Sequence, residues 1–191
     1  AGLTRVANLT TPSERDVEAS IKVDVDKAAT GTGERTALIV RRVAANTEYR
    51  GRVRVDNLGR VWVAAARLDG TATEVAIGAE GHVGGITAGP GVPIMLKTSV
   101  KGINPTTIRV KAWRASDAEP GTWNVTRTDS TPAVQAPGGV GMTSYLSSHV
   151  TNAPVQFRYD DFSVVGLNDP PVAQGSGSCG NKHLGFCGAG A

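Results

Sequence analysis

Apolar and polar residues alternate one by one along most of the chain. In VEASIKVDV, Val17, Ala19, Ile21, Val23 and Val25 share one face, and Glu18, Ser20, Lys22 and Asp24 share the other. Successive side chains leave an extended backbone on opposite sides, so a period of two marks a half-buried β-strand. YRGRVRVD repeats the pattern with Arg50, Arg52 and Arg54 on its polar face. DNLG at Asp56–Gly59 is rich in turn formers and RVWVAAARL runs on from it, which predicts a hairpin. LDGTAT turns again around Gly70, before EVAIGA. PIMLKTSVKG and TTIRVKAWRA pair across Gly102–Pro105, ASDAEPGT turns before WNVTRTD, and VGMTSYLSS and VQFRYDDFSV complete the series. Roughly ten strands with regular turns, and no long helical period, predict an all-β fold: a two-sheet antiparallel β-sandwich. Its core fills the space between the sheets, and its outer faces carry Thr, Arg, Lys and Ser.

The alternation stops near Val164–Val165, and GLNDPPVAQGSGS follows. Two prolines with Gly and Ser can neither extend a strand nor fill a core. Residues 1–165 are therefore expected to form the sandwich, and 166–191 a linker and tail, a division that suits a chain of 191 residues. The tail holds both cysteines, Cys179 and Cys187. The ring between them contains Gly180, Asn181 and Gly185, which turn easily, so a disulfide is the favoured state. Free thiols come second. Zinc comes last, because His183 would bring the ligands only to three. A disulfide here implies an oxidising compartment and gives the sandwich no support.

Hydrophobic residues, at 40%, are enough for a core, and 5% aromatics make it one of Val, Ile, Leu and Ala. A net charge of +3, spread among apolar residues, leaves no nucleic-acid footprint. No apolar run approaches the roughly 18 residues of a membrane span. The first residue is Ala, as expected of a processed product or a piece of a longer chain.

Several stretches carry chemistry. Glu14, Asp16 and Glu18 would share one face of a strand, the arrangement of carboxylates a retaining glycosidase needs. Pro12 and Ser13 place Glu14 in a turn, and the chain has too few aromatics for a sugar cleft, so no catalytic residue is assigned. Trp62, Trp113 and Tyr145 are the candidates for stacking on a glycan, with Trp123 and Tyr49 beside them, although aromatics in a sandwich are more often core than site. His82, His149 and His183 share no ligand spacing, and no Ser or Cys nucleophile motif is present.

RDVEASIKVDVDKAATG, the run from ALIVRRVAAN to EVAI, and the run from PTTIRVKAWRA to YDDFSV together resemble a laminin-G-like, concanavalin-type jelly-roll domain. Such domains occur in secreted actinobacterial proteins and in tail proteins of the phages that infect those bacteria. The resemblance covers Arg15 to Val165. It implies a jelly roll, a virion or extracellular location and a non-catalytic role. YDDF resembles the last strand of jelly-roll modules in which one Asp helps hold a structural calcium, which makes Asp161 the metal candidate. The opening strand of the family, with Asp, Phe and Trp, has no counterpart before RDVE. The first strand is therefore expected to be missing or supplied by another chain, with edge-strand docking or a homo-oligomer as the consequence. The expected function is a structural or adhesion module of a larger assembly, partnered by other protein subunits, first a phage tail or capsid-surface protein. The alternative is a secreted module binding a cell-surface glycan; a glycoside hydrolase is a distant third.

Overall fold

The computed structural model describes residues 1–167. The strands are β1 (Leu3–Glu14), β2 (Val17–Val25), β3 (Glu34–Ala44), β4 (Thr47–Val55), β5 (Arg60–Asp69), β6 (Val75–Ala76), β7 (Gly81–Thr87), β8 (Ile94–Lys101), β9 (Thr106–Arg114), β10 (Val125–Asp129), β11 (Gly138–Leu146) and β12 (Phe157–Gly166). A single 3-10 turn, Pro132–Val134, is the one helical element among the described residues. A seven-stranded sheet has the order β1-β11-β3-β4-β5-β6, with β7 also on β5; a five-stranded sheet has the order β10-β9-β8-β2-β12. All pairings between named strands are antiparallel, and the two sheets stack as a jelly-roll sandwich, as the alternation predicts. Cys179, Cys187 and the ring expected between them lie outside the described residues.

The core is the set of inward positions that the alternation picks out. Val17, Ala19, Ile21 and Val23 of β2 meet Leu38 and Val40 of β3, Tyr49 and Val53 of β4, and Val61, Val63 and Ala65 of β5. Each fully buried Val, Leu or Ile contributes about 1.5–3 kcal/mol of transfer free energy, before the cost of ordering the chain. Gly51 marks a close approach of the sheets. A Cβ there would run into the Thr98 side chain of β8, so a larger residue would force the sheets apart.

Arg41 is 0% exposed and ties the sheets together at one end. Its guanidinium donates to the Arg15 carbonyl (2.6 Å), Thr106 Oγ1 (2.7 Å), the Gly102 carbonyl (3.0 Å) and Asp16 Oδ1 (3.3 Å). A buried guanidinium is tolerable only when its donors are satisfied in this way.

Ala1–Glu14 corrects the expectation of a missing first strand. Leu3–Glu14 is an edge strand, hydrogen-bonded to β11 from Leu3↔Leu146 to Leu9↔Val140. Every residue from Leu3 to Ser13 is exposed, including Leu3, Val6 and Leu9. A strand with neither face buried has no reason to alternate, and so leaves no period in the sequence.

Candidate functional site

On the seven-stranded sheet, the residues that alternate with the core positions point away from the sandwich. Direct cross-strand partners line them up in a row: Thr4 (β1), Tyr145 (β11), Arg35 (β3), Arg54 (β4), Trp62 (β5) and His82 (β7). Six strands at about 4.8 Å spacing make this row roughly 24 Å long. The next row is Val6, Thr143, Ala37, Arg52 and Ala64, and the one after it Asn8, Gly141, Ile39, Arg50 and Ala66. Ala37, Ala64, Ala66 and Gly141, with the buried Ile39 among them, leave a low floor, across which the long arginine side chains lie.

A ladder of alternating charge crosses this floor. Glu48, 2% exposed, takes Arg50 at 2.6 Å. Glu74 joins Arg50 (3.4 Å) to Arg52 (2.6 Å), and Glu80 joins Arg52 to Arg54 (2.6 Å each). Burial alone would raise the Glu80 carboxyl, but Arg54 and Arg52 outweigh it and hold the group below the usual carboxylate range. All three acids are engaged by guanidinium groups, so none is a free general acid or nucleophile.

Trp62 sits half-buried toward one end of the first row, next to His82. His82 lies against it at 4.8 Å between ring centroids, tilted by 49°. The Arg54 and Arg60 guanidiniums lie 5.4 and 5.8 Å from the ring centre, a cation–π distance. The DNLG turn holds the indole in place. Asp56 Oδ2 accepts from Trp62 Nε1 (3.1 Å) and Arg60 Nε (2.7 Å), while Oδ1 accepts from the Leu58 and Arg60 amides (3.0 Å each). Burial opposes ionisation of Asp56, but the hydrogen bonds from Trp62, Leu58 and Arg60 prevail and bring it down to about 2. Gly59 closes the turn at φ +74, a conformation that side-chain-bearing residues rarely adopt.

At the other end of the row, Tyr145 and Arg35 border a depression of about 160 Å³, also lined by Thr4, Thr143, Arg52 and Glu74. The Arg35 guanidinium lies 5.6 Å from the Tyr145 ring centre.

The aromatic candidates separate. Trp62 and Tyr145 share this face and row, whereas Trp113 is on the outer face of the five-stranded sheet, 8% exposed. There Lys111 Nζ lies 5.7 Å from the Trp113 ring centre and 4.7 Å from that of Trp123. Lys111 also donates to the Pro120 carbonyl at 2.6 Å and pairs with Glu119 at 2.7 Å, so the cluster is closed on itself. A hollow of about 330 Å³ beside it is lined by Glu18, Ser99, Lys101, Thr107, Arg109, Trp123 and Leu167, where the described chain ends.

Glu14, Asp16 and Glu18 do not share a strand face. Glu14 ends β1, Asp16 is buried in the turn as the partner of Arg41, and Glu18 faces out from β2 against Lys97 at 3.1 Å. Asp160 and Asp161 both pair with Lys22, at 3.0 and 2.7 Å. The ammonium supplies the positive charge between these carboxylates, and two exposed carboxylates fall short of the six to eight oxygens that calcium takes. No group of three His, Cys, Asp or Glu side chains among the described residues is placed to hold a metal. Inside the sandwich, Glu34 is 3% exposed and its Oε2 has no partner. Burial, helped by Asp26, pushes its carboxyl up to about 7. The cavity beside it, about 30 Å³, has room for one water and not for a sugar.

Sequence reasoning passes over Arg35, Glu74 and Glu80. The arginines read as an ordinary polar face, and their acidic partners come from the β5–β7 connection, 22 to 28 residues away, at no local spacing.

No family model matches the chain, and no curated protein does. Solved structures do, by shape. A mutant of the GH43 protein BlXynB from Bacillus licheniformis aligns over 80% of this chain at 11% identity and a TM-score of 0.51. This chain spans 28% of that one. The CBM2 module of the evolved Dit protein of Lactobacillus casei BL23 phage J-1 aligns over 84% of this chain and 67% of its own, at 8% identity and a TM-score of 0.50. A variant of human galectin-16 aligns over 85% of this chain and 94% of its own, at 13% identity and a TM-score of 0.44. At such identities the likeness is one of fold, the jelly roll.

Proposed function

We propose that the domain is a non-catalytic adhesion module that takes a glycan on the outer face of its seven-stranded sheet. The observation that carries this reading is the row Tyr145–Arg35–Arg54–Trp62–His82, which sets aromatic faces and planar donors side by side over a floor of small residues. Sugar rings present apolar C–H faces and a rim of hydroxyls. Half-buried aromatics serve the first, and Arg, Glu and His side chains serve the second. The binding we propose is without cleavage, since Glu74 and Glu80 are held by arginines and no free pair of carboxylates faces the row among the described residues. The setting we propose is a larger virion or extracellular assembly, a phage tail or capsid-surface protein before a secreted bacterial surface protein. The laminin-G-like resemblance supports that setting, as does the fold shared with a module of a phage Dit protein.

The test is a glycan array with the full chain and its Trp62→Ala variant. The expected result is binding to a restricted set of glycans, lost or weakened at least about tenfold in the variant, with no release of cleaved product. Binding untouched by Trp62→Ala and His82→Ala would move the site elsewhere, and hydrolysis of any bound glycan would overturn the non-catalytic reading.

A further inference from the structure

Four arginines, Arg35, Arg50, Arg52 and Arg54, stand side by side on the outer face, and three of them have carboxylate partners. The Arg35 side chain has no hydrogen bond or ion pair among the described residues; its neighbour is the Tyr145 ring at 5.6 Å. It is half-buried, unlike Lys101 and Arg109 beside the hollow on the other sheet. An unpaired cation fully in water costs nothing, whereas one partly withdrawn from water and placed among other cations is held at a cost. Burial, then the positive charges of Arg52 and Arg54, favours loss of its proton, only partly offset by Glu74 and Glu80. Arg35 nevertheless opens onto the depression of about 160 Å³, whose rim carries the Thr4 and Thr143 side chains and the Tyr145 ring. Three guanidiniums, those of Arg35, Arg50 and Arg52, and one carboxylate, Glu74, line that space.

From this we infer that the depression at Arg35 is a subsite for an anionic substituent of the glycan, so that the module selects acidic glycans over neutral ones. The inference rests on the proposed glycan-binding face and adds its charge class. A guanidinium is a planar fork that meets a carboxylate or phosphate oxygen pair with two parallel hydrogen bonds. Thr4 and Thr143, on the same lining, add hydroxyl groups that can donate or accept. Trp62, two strands from Arg35 along the same row, lies roughly 10 Å off at the usual strand spacing, so one oligosaccharide can reach both. A uronic acid carboxylate and a phosphodiester of a wall polymer offer the same chemistry to Arg35.

The experiment is calorimetric titration of the full chain with three probes: an oligogalacturonate, its methyl ester, and a glycerol-phosphate oligomer. The expected result is that at least one anionic probe binds about tenfold or more tightly than the neutral ester, with affinity that falls as salt is raised. Arg35→Gln should bring the anionic probe down to the affinity of the ester, and Arg35→Lys should restore part of the difference. Preference for the oligogalacturonate assigns the subsite to carboxylates, and preference for the glycerol-phosphate oligomer assigns it to phosphates. Equal binding of all three, or a preference that survives Arg35→Gln, overturns the inference and leaves the glycan-binding face standing. Failure of every probe, together with failure of the glycan array, overturns both.

Discussion

The two outer faces of the sandwich carry the same kinds of residue and use them differently. On the five-stranded sheet, Trp113 and Trp123 close over Lys111, whose ammonium is satisfied by Pro120 and Glu119. On the seven-stranded sheet, Trp62 is held from its edge by Asp56, next to an exposed His82, and Arg35 is left without a partner. In the first arrangement aromatic and cation satisfy each other and stabilise the fold. In the second, the supporting bonds fix the side chains but leave part of their binding capacity unspent. A side chain held in place by its neighbours, with donors or a ring face still free, is the physical form of a preorganised site.

The largest effect expected from this contrast is at Trp113. Trp113→Ala empties a buried position and should cost about 3–5 kcal/mol in urea unfolding, with glycan affinity unchanged in the fraction that remains folded. A small cost would show that the Trp113–Lys111–Trp123 cluster is as loosely held as the opposite face, and the contrast would break.

Asp56→Ala should act on both counts. It removes the acceptor for four hydrogen bonds, including that of the Trp62 indole. Loss of about 2 kcal/mol of stability is expected, along with weaker glycan binding. The wild type should show the matching pH dependence. The folded carboxyl titrates at about 2 against an ordinary 3.8. Its contribution is therefore complete above about pH 4 and disappears as pH falls through 2. A stability profile that slopes less over that range in Asp56→Ala than in the wild type checks the assignment, the remaining slope belonging to other lowered carboxyls such as Glu80.

Glu34 sharpens the comparison from the inside, since it precedes Arg35 on β3 and points the opposite way. Its folded carboxyl sits at about 7 against 4.5 for the ordinary group. The folded protein keeps the proton where the unfolded chain has lost it, so the Glu34 contribution to stability is fully present below about pH 4.5 and is lost as pH rises through 7. Glu34→Gln should remove that slope and raise the melting temperature at pH 8 by a few degrees. It should leave glycan affinity alone. A change in affinity would mean that the interior and the outer face are coupled through β3.

The smallest effect is that of Arg35→Gln on stability. A cation with no carboxylate partner, one aromatic contact and two like-charged neighbours contributes little net to the fold, so the melting temperature should stay nearly the same, within about 0.5 kcal/mol. A marked drop would mean that Arg35 has a structural partner, and the contrast with Lys111 would fail.

The alternation of VEASIKVDV or YRGRVRVD was enough to predict an all-β sandwich and to say which side chains enter the core. Hairpin partners such as β4 and β5, or β8 and β9, were legible too, because a turn signal and two periodic segments lie next to each other in the chain. Strand β1 was not, since all but its last residue are exposed and nothing forces a period on it. The candidate site was legible only in its aromatics, Trp62 and Tyr145. Their sharing of one row depends on β11 lying beside β3, which brings together residues 110 positions apart through the Tyr145↔Arg35 pairing. The same sheet order sets Trp113 on the opposite side of the molecule. Periodicity is a local property imposed by burial of one face, so one chain segment is enough to reveal it. A binding face made of one residue from each of six strands has no local signature, because what unites its members is the order of strands in the sheet.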